Sequence, residues 1–233
     1  MDNELRKIPS GSLRRAFWQR AAQQYERAGR PEDGAAAWLA AGRLRAAARI
    51  YEKNGHWERL TQLLLELRDF TAADRSAERW LEELHHDPAR RPGEETRALL
   101  ARAASLQLTG KRKAGSAFYR QARTRLEKTT TSLPPLISGR NWEALAFYGD
   151  LVQRPDLMRR GYETALAIYD PLLPLERERC LREYLDRAAA DPLLTAELHE
   201  RLAAWTPPST LKQERDNLFQ ALARFNENDS DYF

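Results

Sequence analysis

Aromatic residues and glycines recur at a fixed spacing near the start of the chain. In YERAGRPEDGAAAWLAAGRLRAAARIYEKNG, Tyr25, Trp38 and Tyr51 stand 13 residues apart, and a glycine follows each four positions later. The glycines are Gly29, Gly42 and Gly55. Because glycine readily takes the left-handed conformation that ends a helix, a helix of about ten residues and a short turn account for this spacing. The pattern predicts a repeat of short antiparallel helices with aromatic side chains between them.

The register continues beyond the three glycines. Position 68, which is 13 residues after Gly55, carries an arginine at the expected turn. The Trp-Glu-x-Leu of residues 57–60 returns at residues 142–145, in GRNWEALAFY. We therefore expect the helical repeat to extend, less regularly, into the second half of the chain.

The apolar periodicity predicts helices along the whole chain. The predicted helices span residues 12–28, 31–41, 43–54, 56–67, 70–86, 93–109, 111–130, 141–153, 156–170, 174–190, 192–205 and 209–226. We expect an all-α fold, a right-handed α-solenoid of stacked antiparallel helix pairs with about 11–12 helices.

Breaks in composition divide the chain into five segments. The predicted segments are a flexible N-terminus (1–11), helical repeats (12–128), a linker (129–139), a C-terminal helical region that continues or caps the solenoid (140–226) and an acidic tail (227–233). The linker, TTTSLPPLISG, contains Pro134 and Pro135, which disfavour a continuous helix.

The composition fits a folded protein in a reducing compartment. Apolar residues make up 42% and supply a core, while 31% charged residues and a mean hydropathy of -0.71 indicate a wet surface. The lone Cys180 leaves no disulfide framework. No apolar run approaches the ~20 residues needed to cross a bilayer, and MDNELRKIPSGS lacks the hydrophobic stretch of a secretory signal. We expect a cytoplasmic protein without a membrane partner.

Positive charge is concentrated in one segment. The chain has 38 basic and 34 acidic residues, a formal net charge of +4, whereas residues 111–128 hold seven basic residues and one acid, Glu127. On a helix, Arg112, Arg120 and Arg123 share a face, with Lys113 nearby. The candidate partner-binding residues are Lys111, Arg112, Lys113, Arg120, Arg123 and Arg125.

Three interpretations of this basic segment remain open. Its cations bind an acidic surface of a protein partner, bind the phosphates of a nucleic acid, or only form a solvated helix face paired with acids of neighbouring helices. Phe118 and Tyr119 fall at the aromatic position of the repeat. We therefore expect both in the core rather than stacked on bases.

Motifs for catalysis, cofactors and metals give no candidate. Glycines occur singly at helix ends, so no G-x-G-x-x-G and no phosphate-binding loop is present. Cys180 lies in the helical stretch LERERCLREYL, where we expect a small buried side chain rather than a nucleophile. Glu82 and His85 have the i,i+3 spacing of carboxylate-bridged metal sites, but no second Glu-x-x-His accompanies them. We expect no enzymatic activity, no cofactor and no bound metal.

The aromatic-x-x-x-glycine pattern resembles α-solenoids of the tetratricopeptide-like class. Turns such as YEKNGHWERL are similar to those of vesicle-coat and intraflagellar-transport subunits, and similar segments adjoin enzymatic domains in bacterial signalling and defence proteins. The resemblance covers residues 21–84 well, and residues 100–125 and 140–170 loosely. It implies no catalytic residue.

The function that this resemblance implies is a protein–protein interaction scaffold or adaptor, as a domain of a larger signalling or defence protein. One alternative is a nucleic-acid-binding repeat that uses residues 111–128. Another is a regulator or substrate of a partner enzyme, with residues 129–139 as an accessible loop.

Overall fold

The computed structural model describes residues 11–86, 93–170 and 172–204, with side chains from residue 15 onward. Within these ranges 85% of the residues are helical and no strand occurs, so the all-α prediction is confirmed. The predicted N-terminal segment before residue 11, the helix at 209–226 and the acidic tail lie outside the described residues.

Eleven α-helices make up the described part of the chain, and their bounds follow the predicted ones closely in the first half. They are α1 (Gly11–Arg27), α2 (Pro31–Ala40), α3 (Leu44–Lys53), α4 (Trp57–Glu66), α5 (Phe70–His86), α6 (Glu94–Leu108), α7 (Arg112–Thr129), α8 (Pro135–Leu151), α9 (Pro155–Tyr169), α10 (Pro174–Arg187) and α11 (Pro192–Ala204). A short 3-10 helix, Ala188–Ala190, lies between α10 and α11.

Six of the turns between helices share one geometry. After α2, Gly42 has φ 71°, and the next amide, of Arg43, donates to the carbonyl of Trp38 at 2.8 Å. Such a bond satisfies a carbonyl that the helix end leaves without a partner. Arg68 and Gln153 hold the same position after α4 and α8, with φ 58° and 56°. The same left-handed turn therefore forms after α4 and α8, although the turn residue there is not a glycine.

The even-numbered helices from α4 to α10 form one layer. Each helix packs against the next along the chain, and in addition α6 contacts α4 and α8, and α8 contacts α10. Within the described ranges, no two odd-numbered helices make comparable backbone contacts. Because the even-numbered helices lie closer together, the stack curves toward them. We call α4, α6, α8 and α10 the inner helices, and α5, α7, α9 and α11 the outer helices.

The predicted linker at 129–139 is shorter in the structure. Helix α7 continues to Thr129 and α8 already begins at Pro135, because proline fits the first position of a helix, where no backbone N–H is needed. Ser138 is buried, and its hydroxyl donates to the carbonyl of Thr130 at 3.0 Å. The irregular stretch is therefore confined to residues 130–134.

Glycines bring α8 and α9 into close contact. A β-carbon added at Gly161 of α9 would lie 2.5 Å from the backbone nitrogen of Ala146 in α8. One added at Gly149 of α8 would lie 2.5 Å from the backbone nitrogen of Met158 in α9, and Gly139 lies directly against a tyrosine ring of α9. This pair of helices can pack at such a distance only where side chains are absent.

The apolar core is continuous from α4 to α11, and a smaller cluster joins α2, α3 and α4. Trp57 and Leu64 of α4 pack against both clusters and connect them. The core therefore holds the inner helices in fixed positions, which matters for the groove that they line.

Candidate functional site

A groove runs across the concave face of the stack. Its cavity has a volume of about 370 Å³ and is lined by all four inner helices, with Trp80 of α5 at its base. Cavities of about 300–1,000 Å³ are typical of ligand sites in proteins. The groove is therefore the main candidate site in the described part of the chain.

Each inner helix contributes one arginine from its N-terminal half to the groove. They are Arg59 of α4, Arg97 of α6, Arg140 of α8 and Arg179 of α10. Because alternate helices of an antiparallel stack run in the same direction, these N-terminal halves lie along one edge. The groove thus has a charged edge built from four different helices.

Arg97 is the most buried of these arginines. Its guanidinium donates to both carboxylate oxygens of Glu58 in α4, at 2.7 and 3.3 Å, and to the side-chain oxygen of Asn141 in α8 at 3.0 Å. Only 15% of the Arg97 side chain is exposed. One side chain on α6 therefore ties together the three inner helices α4, α6 and α8.

A second ion pair of the same kind joins α8 and α10. Arg179 donates to the two carboxylate oxygens of Glu143 at 2.6 and 2.9 Å, and the hydroxyl of Tyr169 donates to Glu143 at 2.7 Å. Burial is the largest single influence and lowers the pKa of Arg179, but the hydrogen bonds and charges of Glu143 and Glu176 together outweigh it and raise the pKa. Arg179 therefore keeps its positive charge beside Glu143.

Arg140 and Arg59 are the two groove arginines most available to a partner. Arg140 is exposed, and its one ion pair within the described residues is a long contact of 3.9 Å with Glu176. Arg59 is also exposed and forms no ion pair with any described residue. The charged edge thus combines two fixed guanidinium groups with two that are free to bind.

The middle of the groove is apolar. Leu65, Leu100 and Ala104 are buried at its floor, while Ala144 and Phe147 of α8 are half-buried and face it. Because the three floor residues are already almost fully buried, a ligand would cover mainly the apolar surface of Ala144 and Phe147. The groove therefore offers an apolar strip beside its charged edge.

Charged groups also surround the C-terminal ends of the inner helices. Arg187 of α10 donates to Asp150 of α8 at 2.6 Å, and its guanidinium lies 4.7 Å from the ring centroid of Phe147. The pKa of Glu66, at the end of α4, is raised, mainly because the side chain is partly buried. The positive charge of Arg187 acts against this shift, and the negative charge of Glu183 adds to it. The apolar strip therefore lies between two charged regions.

The two ion pairs of the groove follow the internal repeat. The motif Trp-Glu-x-Leu places Glu58 directly after Trp57, and Glu143 directly after Trp142. Each glutamate binds an arginine of the next inner helix, and each tryptophan lies under an arginine of the following outer helix, at 5.5 and 5.6 Å. The groove arginines were missed in the sequence analysis, although this repeated Trp-Glu-x-Leu motif was the signal that could have found their partners.

The residues predicted from the sequence lie elsewhere, on outer helix α7. All six candidate side chains are exposed: Lys111, Arg112, Lys113, Arg120, Arg123 and Arg125. Arg123 pairs with Glu127 of its own helix at 2.9 Å, and Arg125 pairs with Glu95 of α6 at 2.6 Å. The structure does not bring these six residues into the groove.

The two aromatic residues of α7 face the core, as predicted. The ring of Tyr119 stacks on that of Tyr148 with 5.0 Å between centroids, and Phe118 lies under the guanidinium of Arg102 at 4.6 Å. Cys180 is fully buried, as expected, and burial raises the pKa of its thiol.

The described residues contain neither a cluster of metal ligands nor a membrane-spanning helix. No three His, Cys, Asp or Glu side chains among them are placed to hold a metal ion. No helix of the described ranges has the length and apolar character to cross a membrane.

Comparison with known proteins leaves the class of the chain at the level of its fold. No protein-family model and no curated protein sequence matches it.

Proposed function

We propose that the chain is a non-catalytic protein-interaction module of the tetratricopeptide-like α-solenoid class, and that its groove binds a segment of a partner protein. The observation that carries this proposal is the groove itself, which crosses four helices and combines four arginines with an apolar strip. Arginine and aromatic side chains contribute most of the binding energy in many protein interfaces.

The fixed arginines suit recognition of a protein segment. Arg97 and Arg179 are already held by carboxylates, so little side-chain entropy remains to be lost when a partner binds. The exposed Arg140 can bind a carboxylate or carbonyl group of the partner, while an apolar side chain enters the strip beside Ala144. A partner segment with both features fits the groove best.

The role of an adaptor rather than an enzyme is supported by the chemistry of the only thiol. Burial raises the pKa of Cys180 and so disfavours the thiolate that a catalytic cysteine needs. We further propose a cytoplasmic location, in keeping with the lone cysteine, and a role as one domain of a larger signalling or defence protein.

The test fills the groove without disturbing the core. Ala101→Gln and Ala144→Gln together add two long side chains to the groove wall, and glutamine is a good helix former. The matched control is Ala196→Gln with Ala203→Gln, the same change at two exposed positions of α11. Far-UV circular dichroism checks that both variants keep the helical content of the parent.

The immobilised parent chain first captures proteins from a lysate of its native host, and the captured protein is then purified and titrated by calorimetry. We expect the control to bind it like the parent, and the groove-filled variant to bind at least ten-fold more weakly, roughly 1.4 kcal/mol or more. Equal affinity for both variants would refute the groove as the binding site.

A further inference from the structure

Four cations of α7 lie on one solvent-facing side of the helix. At 100° per residue, Arg112, Lys113, Arg120 and Arg123 fall within an arc of about 100°. All four side chains are exposed, and the buried Ala122 and Leu126 lie on the adjoining side of the helix, about 40–80° from Arg112. We call this arc the basic face. Arg125 is not part of it, because it lies on the far side of α7 and pairs with α6.

Most of this charge has no ion-pair partner among the residues that the structure describes. Arg112, Lys113 and Arg120 form no ion pair with any described residue, and neither does the adjacent Lys111. Glu127 is the only acid of α7, and it already binds Arg123 at 2.9 Å and lies 3.7 Å from Arg160 of α9. Among the described residues, only Arg123 of the basic face is paired with an acid.

The same surface continues onto the next outer helix. Arg159 and Arg160 of α9 are exposed, with 60% and 49% of their side chains accessible. Both form only long ion pairs, at 3.8 and 3.7 Å, which contribute little at an exposed surface. The positive field therefore extends beyond one helix.

The basic face also lacks what a protein interface needs. Within its arc lie Ser116 and the acid Glu127, with Thr124 at its edge, and no exposed apolar side chain larger than alanine occurs on α7. Phe118 and Tyr119 are packed against the core instead. Protein interfaces depend on aromatic and aliphatic anchors, whereas phosphate backbones are bound by lysine, arginine and small polar groups.

We propose that the basic face binds the phosphate backbone of a nucleic acid without reading its base sequence. Eleven residues separate Arg112 from Arg123, a rise of about 16 Å, over which one strand of a duplex presents about five phosphates. Four cations along this length match such a strand. The inference is independent of the groove, since it concerns the outer helices.

The test measures the affinity for a labelled single strand and a labelled duplex, each of about 30 units, by fluorescence anisotropy at several salt concentrations. The test variant is Lys113→Glu with Arg120→Glu. The matched control is Arg45→Glu with Arg49→Glu, which makes the same charge change at two exposed positions of α3. Lys113→Arg with Arg120→Lys keeps the charge and serves as a conservative variant.

For the parent chain, four phosphate contacts predict that duplex affinity falls roughly 100-fold between about 50 and 200 mM salt. We expect Lys113→Glu with Arg120→Glu to bind at least ten-fold more weakly at low salt, and the control and the conservative variant to bind like the parent. No binding by the parent at about 50 mM salt would overturn the proposal, as would equal losses in test variant and control. Equal competition by poly-glutamate would also overturn it and indicate an acidic protein as the partner.

Discussion

Replacing Gly161 by alanine should destabilise the protein, although alanine is the better helix former. Gly161 lies inside α9, where this change alone favours the helix by about 1 kcal/mol. The new methyl group would, however, lie 2.5 Å from the backbone nitrogen of Ala146 and 2.7 Å from the carbonyl oxygen of Trp142. Those atoms belong to the backbone of α8, so no side-chain rotation can make room.

The size of the effect follows from these distances. Ordinary contacts begin at about 3.5 Å, so α8 and α9 must separate by about 1 Å. A gap of that size forfeits up to half of the dispersion energy along the interface, and overpacking typically costs about 1–3 kcal/mol. Because the atoms met belong to the backbone, we expect a cost at the upper end of this range, about 3 kcal/mol, and a net loss of about 2 kcal/mol once the gain in helix propensity is subtracted. For a chain of this size that lowers Tm by about 4–8 °C.

Gly34→Ala is the matched control, because it makes the same change inside α2. The atom nearest to its new methyl group is the Cγ of Glu26 at 3.2 Å, which belongs to an exposed side chain that can move. We expect this variant to gain about 0.5–1 kcal/mol. Thermal unfolding followed by circular dichroism compares the two variants directly. If Gly161→Ala unfolded at the same temperature as Gly34→Ala or above it, close backbone packing of α8 and α9 would be the wrong explanation for this glycine.

Two other properties can be measured in the same way. Arg68→Gly should stabilise the protein by about 1 kcal/mol, because Arg68 holds a left-handed φ of 58° that glycine adopts without strain. Gly42→Ala should destabilise the protein by a similar amount. Thermal unfolding of both variants tests these two expectations. Burial raises the pKa of Tyr148 and of Tyr184 from 10.0 to about 12. Their neutral hydroxyl groups therefore contribute fully to the stability of the folded state below pH 10, and this contribution is lost as the pH rises toward 12. Urea unfolding should show that stability falls across this interval in the parent and falls less steeply in Tyr148→Phe; identical pH profiles would contradict the assignment.

The fold was predictable because its elements are local. The left-handed turn after each short helix needs only one residue with positive φ, and glycine marks it in the sequence. The predicted start of α8 at residue 141 was late by six residues, since Pro134 and Pro135 were read as a break. In the folded chain Pro135 instead occupies the first helical position.

The groove could not be predicted in the same way, because it depends on pairs distant in the sequence. Glu58 and Arg97 are 39 residues apart, and Glu143 and Arg179 are 36 apart. Periodicity places each side chain on a helix but does not say which helices become neighbours in the inner layer. The basic segment of α7 was visible because its charges are close together in the sequence.

The ion pairs of the inner layer have a mechanical consequence. A curved stack of helices behaves as a spring, and its inner edge must lengthen when the stack is stretched or straightened. The Glu58–Arg97 and Glu143–Arg179 pairs each join two neighbouring inner helices. Both pairs must break or lengthen when the inner edge is extended, so they oppose extension. Because Arg97 and Glu143 are largely shielded from solvent, this stiffness should depend only weakly on ionic strength. Pulling on the two ends of the chain should therefore open the stack first on the α1–α3 side, where the corresponding contact between alternate helices, Glu32 of α2 with His56 at the start of α4, is longer at 3.5 Å and has a histidine in place of the arginine.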